Sequence, residues 1–211
     1  MTQPADSASA ALEKRPQLVL ASSSPRRQDL LREAGYQFIV DPSGIDEDDF
    51  PRGTMPAELA IILAKLKAQA VAARHPDDIV LAADTVVALG DEIIGKADDP
   101  RHAREILRLL AGTTHVVVTG VAVARDAGKR IRTARIMSAV KMKNLTPIDL
   151  ETYLLSGLWR GKAGAYGVQD ANSPVLAVIG CRTNVIGLPM TKTRDLLSEA
   201  GVIPAPYGSR S

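Results

Sequence analysis

Apolar and polar positions change period several times along the chain. Gln17 to Ala21 (QLVLA) is a short apolar run that predicts a strand. Leu30, Leu31 and Ala34 then recur at helical spacing. Ser24 suits the N-cap, Pro25 the first helical position and Gly35 the stop, so a helix is expected to begin at SPRR. YQFIV (36–40) predicts a second strand, and the acidic GIDEDDFPRG (44–53) a loop. A longer helix is predicted from Pro56 to Arg74, with Leu59, Ile62, Leu63, Leu66 and Ala70 as its apolar face. On that wheel Lys65 points away and Lys67 sits at the edge of the face. Lys67 therefore either snorkels to solvent or leans over a cleft beside the core.

The second half continues the alternation. IVLAADTVVALGDEIIGK (79–96) predicts a hairpin turning at Gly90-Asp91. DPRHAREILRLLAG (99–112) predicts a helix capped by Asp99, opened by Pro100 and stopped by Gly112. THVVVTGVAVA (114–124) and residues 131–143 read as strands around the turn ARDAGKR. TPIDLETYLLSG (146–157) reads as a helix with a Thr146…Asp149 capping pattern. WRGKAGAYGVQD (159–170) is a glycine-rich loop, PVLAVIG and TNVIGL are short strands, and MTKTRDLLSEAG (190–201) is a last helix. Adjacent strands broken by helices predict an α/β fold with a mixed sheet and flanking helices, not a strict βαβ repeat. No linker stands out. The expected organisation is a disordered leader over 1–16, one catalytic domain with a cleft over 17–202, and a tail over 203–211.

Bulk properties narrow the class. The 211 residues are 45% hydrophobic and 24% charged, ordinary for a soluble globular chain. A net charge of +2 without a basic tail, and only 3% aromatics, argue against a dedicated nucleic-acid binder. The single Cys181 excludes an internal disulfide framework and offers no zinc cluster. A reducing, cytoplasmic setting fits. Residues 1–16 hold no apolar stretch of signal-peptide length, and no run approaches the roughly 18 apolar residues of a membrane span.

Chemistry concentrates in a few places. Arg26 and Arg27 fall in the first helical turn, where unpaired N–H groups and the helix dipole already favour an anion. Two guanidiniums beside those N–H groups and the serine hydroxyls form a phosphate site, and the alternative is two solvated arginines. Asp84 interrupts an apolar strand. A carboxylate there is costly unless it is paired, metal-bound or at a cleft edge. It reads as a metal ligand or general base facing the arginines, or else as a carboxylate holding a loop. The acidic run IDEDD is either a solvated loop or supplies one Mg²⁺ ligand beside substrate phosphates, with Asp46 the candidate. Lys96 closes the hairpin, where it either reaches a phosphate or is simply solvated. GKAGAYGVQ (161–169) spaces three glycines but is neither a Walker loop nor a dinucleotide fingerprint. Gln169 adds an amide that both donates and accepts, suited to reading the edge of a base, and the alternative is a plain structural loop. His75, His102 and His115 share no metal spacing and receive no role. The G-x-S-x-G frame of a serine hydrolase is absent around Ser22 to Ser24.

LASSSPRRQDLL, LAKLKA, AADTVV, AYGVQ and IGLP, in that order, resemble the Maf family of nucleotide pyrophosphatases. The resemblance implies an elongated cleft in an architecture related to inosine triphosphate pyrophosphatase. It implies hydrolysis of a nucleoside triphosphate to the monophosphate and pyrophosphate with a divalent cation, Mg²⁺ or Mn²⁺, and a homodimer as the family expectation. By that match Asp84 accepts the proton, and Ser22, Arg26, Arg27, Lys67 and Lys96 line the phosphate site. Arg26, Thr85 and Gln169 occupy positions tied to base selection. AGAYGVQ is similar to the branch acting on dTTP and UTP rather than on 7-methyl-GTP. The chain departs at Asp170-Ala171, where that branch often has glycine, and matches poorly over 172–183. The rival expectation is a nucleotide-binding regulator of cell division with negligible turnover.

Overall fold

A computed structural model describes residues 16–45, 47 and 53–205. Most of the expected leader (1–15), part of the tail (206–211) and Asp46 lie outside the described residues. The first half runs β1 (Leu18–Leu20), α1 (Pro25–Glu33), β2 (Ile39–Val40), α2 (Pro56–Ala72), β3 (Ile79–Leu89), β4 (Glu92–Ile94) and α3 (Pro100–Leu110). The second half runs β5 (Thr114–Arg125), β6 (Arg130–Met142), α4 (Pro147–Leu155), β7 (Val175–Ile179), α5 (Arg182–Ile186) and α6 (Met190–Glu199). The strands form one seven-stranded sheet in the order β2-β1-β3-β5-β6-β7, with β4 paired to β3 off that path. β1 is parallel to β2 and β3, and the remaining pairings are antiparallel, so the sheet is mixed as expected. Among the described residues no helix is long and apolar enough to cross a membrane.

Sequence signals for helix ends are realised locally. Asp99 accepts from the His102 N–H at 2.7 Å. Thr146 and Asp149 form a reciprocal capping box at the start of α4. Two expectations change. YQFIV contributes only Ile39 and Val40 to the sheet. TNVIGL is not a strand but the short helix α5 and its cap. There Asn184 is fully buried, and its Nδ2 donates to the Val117 carbonyl at 3.0 Å and to Ser138 Oγ at 2.9 Å. Those bonds dock a single helical turn onto β5 and β6, which the periodicity of so short a segment cannot reveal.

The face of α2 also differs from expectation. Its buried side is Leu59, Ala60, Leu63, Ala64, Lys67, Ala68 and Val71, whereas Ile62 and Leu66 are exposed. The reason is proximity to the sheet. Gly120 of β5 lies so close that a Cβ there would stand 2.2 Å from the Ala60 carbonyl oxygen. Only small residues allow that approach, so Ala60, Ala64 and Ala68 fill the closest part of the contact, Leu59, Leu63 and Val71 are buried with them, and Ile62 and Leu66 turn outward. The rotation carries Lys67 from the edge of the face into its centre.

The sheet places the cleft. Along one edge of β3, β1 pairs only as far as Leu81 and β4 begins only at Val87. Between them neither β1 nor β4 pairs with residues 82–86, which are backed by β5 on the other side. Strand alternation sends Asp84 to the same face as Ala82 and Val86, beneath α2, and Thr85 to the opposite face. At this gap both faces open onto one cavity.

Candidate active site

The start of α1, with Arg26 and Arg27 in its first turn, lies at this gap. β1 ends at Leu20, and Ala21 to Ser24 carry the chain into α1. Ser24 occupies the N-cap position but its side chain makes no capping bond, and the first turn holds no acidic residue. Ser22 Oγ accepts from Arg27 Nη1 at 2.9 Å and from the Ser24 N–H at 3.3 Å. Arg27 also donates from Nε to the Gly187 carbonyl at 2.8 Å and from Nη2 to Thr85 Oγ1 at 3.2 Å. It thus joins α1, β3 and the end of α5. Burial pulls its pKa down, while the charges of Asp84 and Glu47 push it up. Arg26 reaches across the cavity, with Nη2 at 3.5 Å from the Gly161 carbonyl.

A chain of alternating charges forms the second wall. Lys67 is 4% exposed and Asp84 5%. Lys67 Nζ donates to Asp84 Oδ1, and to Glu47 Oε1 at 2.7 Å. Lys96 donates to Glu47 Oε2 at 2.5 Å. Burial alone would raise the Glu47 carboxyl, but the hydrogen bonds from Lys67 and Lys96 outweigh it and bring it down to about 2. Lys96 is held by a bridge of its backbone to Ala163, which ties the hairpin to the glycine-rich loop.

These groups line one cavity of about 600 Å³, the size of a cofactor or nucleotide site. Its lining brings together Ser22, Arg26, Arg27, Lys67, Asp84, Thr85, Lys96 and Gln169, the predicted site residues that lie among those described. Arg160 and Lys162 line it as well. Described basic side chains outnumber the two carboxylates, Glu47 and Asp84, so the cavity suits a polyanion. The sequence profile of the Maf-like proteins matches residues 17–200. The chain belongs to the Maf family. Among its Maf relatives, the dTTP/UTP pyrophosphatase of Pelotomaculum thermopropionicum is 44% identical, covering 88% of this chain and 97% of that one. The dTTP/UTP pyrophosphatase of Caulobacter vibrioides is 46% identical, covering 90% and 98%. A solved HAM1 protein from Coxiella burnetii aligns with a TM-score of 0.46 at 19% identity, covering 87% of this chain and 99% of that one.

In and around this Maf cavity, sequence reasoning missed three things. Glu47 is the described member of the acidic run that bonds both lysines, while Asp46 lies outside the described residues. A run of four carboxylates carries no signal for which one turns inward. Lys162 and Asp170 form a buried pair at 2.6 Å, which the glycine spacing of the loop does not signal. His115 is 1% exposed, and its Nε2 lies 2.6 Å from the Tyr166 hydroxyl. Burial drops the His115 pKa to about 4 and raises that of Tyr166.

Proposed function

We propose that this Maf protein is a nucleoside triphosphate pyrophosphatase acting on dTTP and UTP. Water attacks the α-phosphorus, the bond to the bridging oxygen of pyrophosphate breaks, and the monophosphate and pyrophosphate leave. The observation that supports this reading best is the union, in one cavity, of an uncapped basic helix start with the Asp84–Lys67–Glu47–Lys96 charge chain. Arg26, Arg27, Ser22 and the N–H groups of α1 hold the phosphate oxygens. Lys67 and Lys96 neutralise charge on the leaving pyrophosphate. Asp84, fixed through Oδ1 by Lys67, accepts the proton of the attacking water. Thr85 and Gln169 face the base, and the Gln169 amide matches a pyrimidine edge that alternates carbonyl oxygens with an N–H. The names of the curated relatives support this choice of substrates.

The donor set fits a divalent cation of the Mg²⁺ type. No cluster of three or more His, Cys, Asp or Glu occurs among the described residues, so an all-protein cage is not built there. Asp84 and Glu47 flank one ammonium, and Mg²⁺ characteristically takes one or two carboxylates and completes its shell with phosphate oxygens and water. Asp84 and Glu47 would hold the ion, with Asp46 the further ligand expected from the sequence. When bound it supplies charge neutralisation and polarisation of the phosphate.

The test is turnover by purified protein on dTTP, UTP, CTP, ATP, GTP and 7-methyl-GTP, with Mg²⁺, Mn²⁺ or EDTA, resolving all phosphate products. Monophosphate and pyrophosphate from dTTP and UTP, lost with EDTA and in Asp84→Asn, are expected. Pyrophosphate from another base alone overturns the substrate assignment. Binding without turnover on any nucleotide overturns the enzyme and favours a regulatory nucleotide sensor.

A further inference from the structure

One buried charge pair beside the cavity has no task in the mechanism above. Lys162 Nζ stands 2.6 Å from both carboxylate oxygens of Asp170. Their side chains are 10% and 6% exposed. Tyr153 donates its hydroxyl to Asp170 Oδ2, and that hydroxyl accepts the Gly167 N–H at 3.0 Å. A buried ion pair holds only where further hydrogen bonds satisfy the carboxylate, and Tyr153 supplies one.

The pair clasps the glycine-rich loop. Lys162 and Asp170 stand at its two ends, and Gly167 passes between them and Tyr153. A Cβ on Gly167 would lie 2.5 and 2.6 Å from the Asp170 oxygens and 2.6 Å from Lys162 Nζ. Glycine is what allows the clasp to close. Both ends of the clasped loop present groups to the cavity. Gly161, next to Lys162, offers its carbonyl to Arg26. Gln169, next to Asp170, lines the cavity, as does Lys162. Asp170 itself is not part of the lining and stands behind Lys162 and Gln169. Its charge nonetheless reaches Arg26, where it opposes the lowering of the pKa by burial.

We propose that Asp170 is a positioning residue for base selection: by holding the Lys162 ammonium and the Tyr153 hydroxyl, it fixes Gln169 and keeps a donor-only cation away from the base. This rests on the nucleotide pyrophosphatase reading above. An amide pairs with both the N–H and the carbonyls of uracil or thymine. A released ammonium can only donate, so it opposes the ring N–H and suits an edge rich in acceptors, such as guanine O6 and N7.

Steady-state kinetics on dTTP, UTP and GTP, for wild type, Asp170→Asn, Tyr153→Phe and the Lys162→Gln/Asp170→Asn double variant, test this. In Asp170→Asn the KM for dTTP is expected to rise about tenfold with kcat within about threefold, and the dTTP-to-GTP ratio of kcat/KM to fall about tenfold. The double variant, lacking the loose ammonium, should recover that ratio to within about threefold of wild type. Tyr153→Phe keeps the ion pair and should move KM the same way by about threefold, which preserves the test if Asp170→Asn does not fold. A lowered melting temperature with unchanged KM and unchanged ratio would mean the clasp is merely structural, and the proposal fails while the enzymatic reading stands. A wild type inactive on all three nucleotides overturns the enzymatic reading, and this proposal with it.

Discussion

Lys67 binds two carboxylates from inside the core, and that placement separates it from Lys96. Removing one partner of a buried ion pair leaves an uncompensated charge and typically costs about 3–5 kcal/mol. Lys67→Met strands Asp84 beneath α2. It should lower the unfolding free energy by roughly 3 kcal/mol, read as a shift in the urea midpoint at unchanged slope. Lys96 has a side chain that is 52% exposed. Lys96→Met should therefore shift stability by less than about 1 kcal/mol while still reducing turnover. Equal stability losses in the two variants would contradict the distinction. At this scale the sequence was readable wherever a residue broke its local pattern. Asp84 stands out in an apolar strand, and Arg26 and Arg27 stand out at a helix start that should favour acids. Glu47 breaks no pattern, because an acidic loop tolerates any carboxylate, and Asp170 shows only as a departure from the glycine common in the dTTP/UTP branch, which does not reveal its partners. Their roles come from partners distant in sequence.

The hairpin, the capping box and the limits of α3 and α6 follow from short-range chemistry and are legible in the chain. The orientation of α2 is not. Spacing alone selects the largest aliphatics as the buried face, but the sheet admits only small ones where β5 carries Gly120. Gly120→Ala tests that explanation. Its methyl would press on the backbone of Ala60 and push α2 outward, for a loss of about 3 kcal/mol, measurable by chemical denaturation. Because α2 carries Lys67 to Asp84, activity should fall with it. A variant as stable and active as wild type would show that α2 is not held at contact distance. α5 was hidden for a related reason, since its place depends on Asn184 bonding to the backbone of β5 and the side chain of β6.

Across the whole molecule, the cavity exists because β1 stops before β4 starts, which opens both faces of the central strand to one ligand. The same compact packing makes stability depend on pH through His115, which joins β5 to the glycine-rich loop. His115 stays neutral in the fold, with its pKa held down at about 4 by burial, against 6.5 ordinarily. Between those values the unfolded chain binds more protons, so stability is full above about pH 6.5 and declines as pH falls toward 4. From pH 7 to pH 5 this one group should cost about 2 kcal/mol. His115→Gln should lose less over the same interval in matched urea titrations, and parallel losses in both proteins would remove His115 as the cause. The central claim is that water attacks the α-phosphorus in this cavity with Asp84 as proton acceptor. Hydrolysis of dTTP in water labelled with oxygen-18 tests it most directly. The label should appear in the monophosphate, with pyrophosphate unlabelled and release abolished in Asp84→Asn. Label in pyrophosphate or orthophosphate, or an Asp84→Asn variant as fast as wild type, would contradict the account.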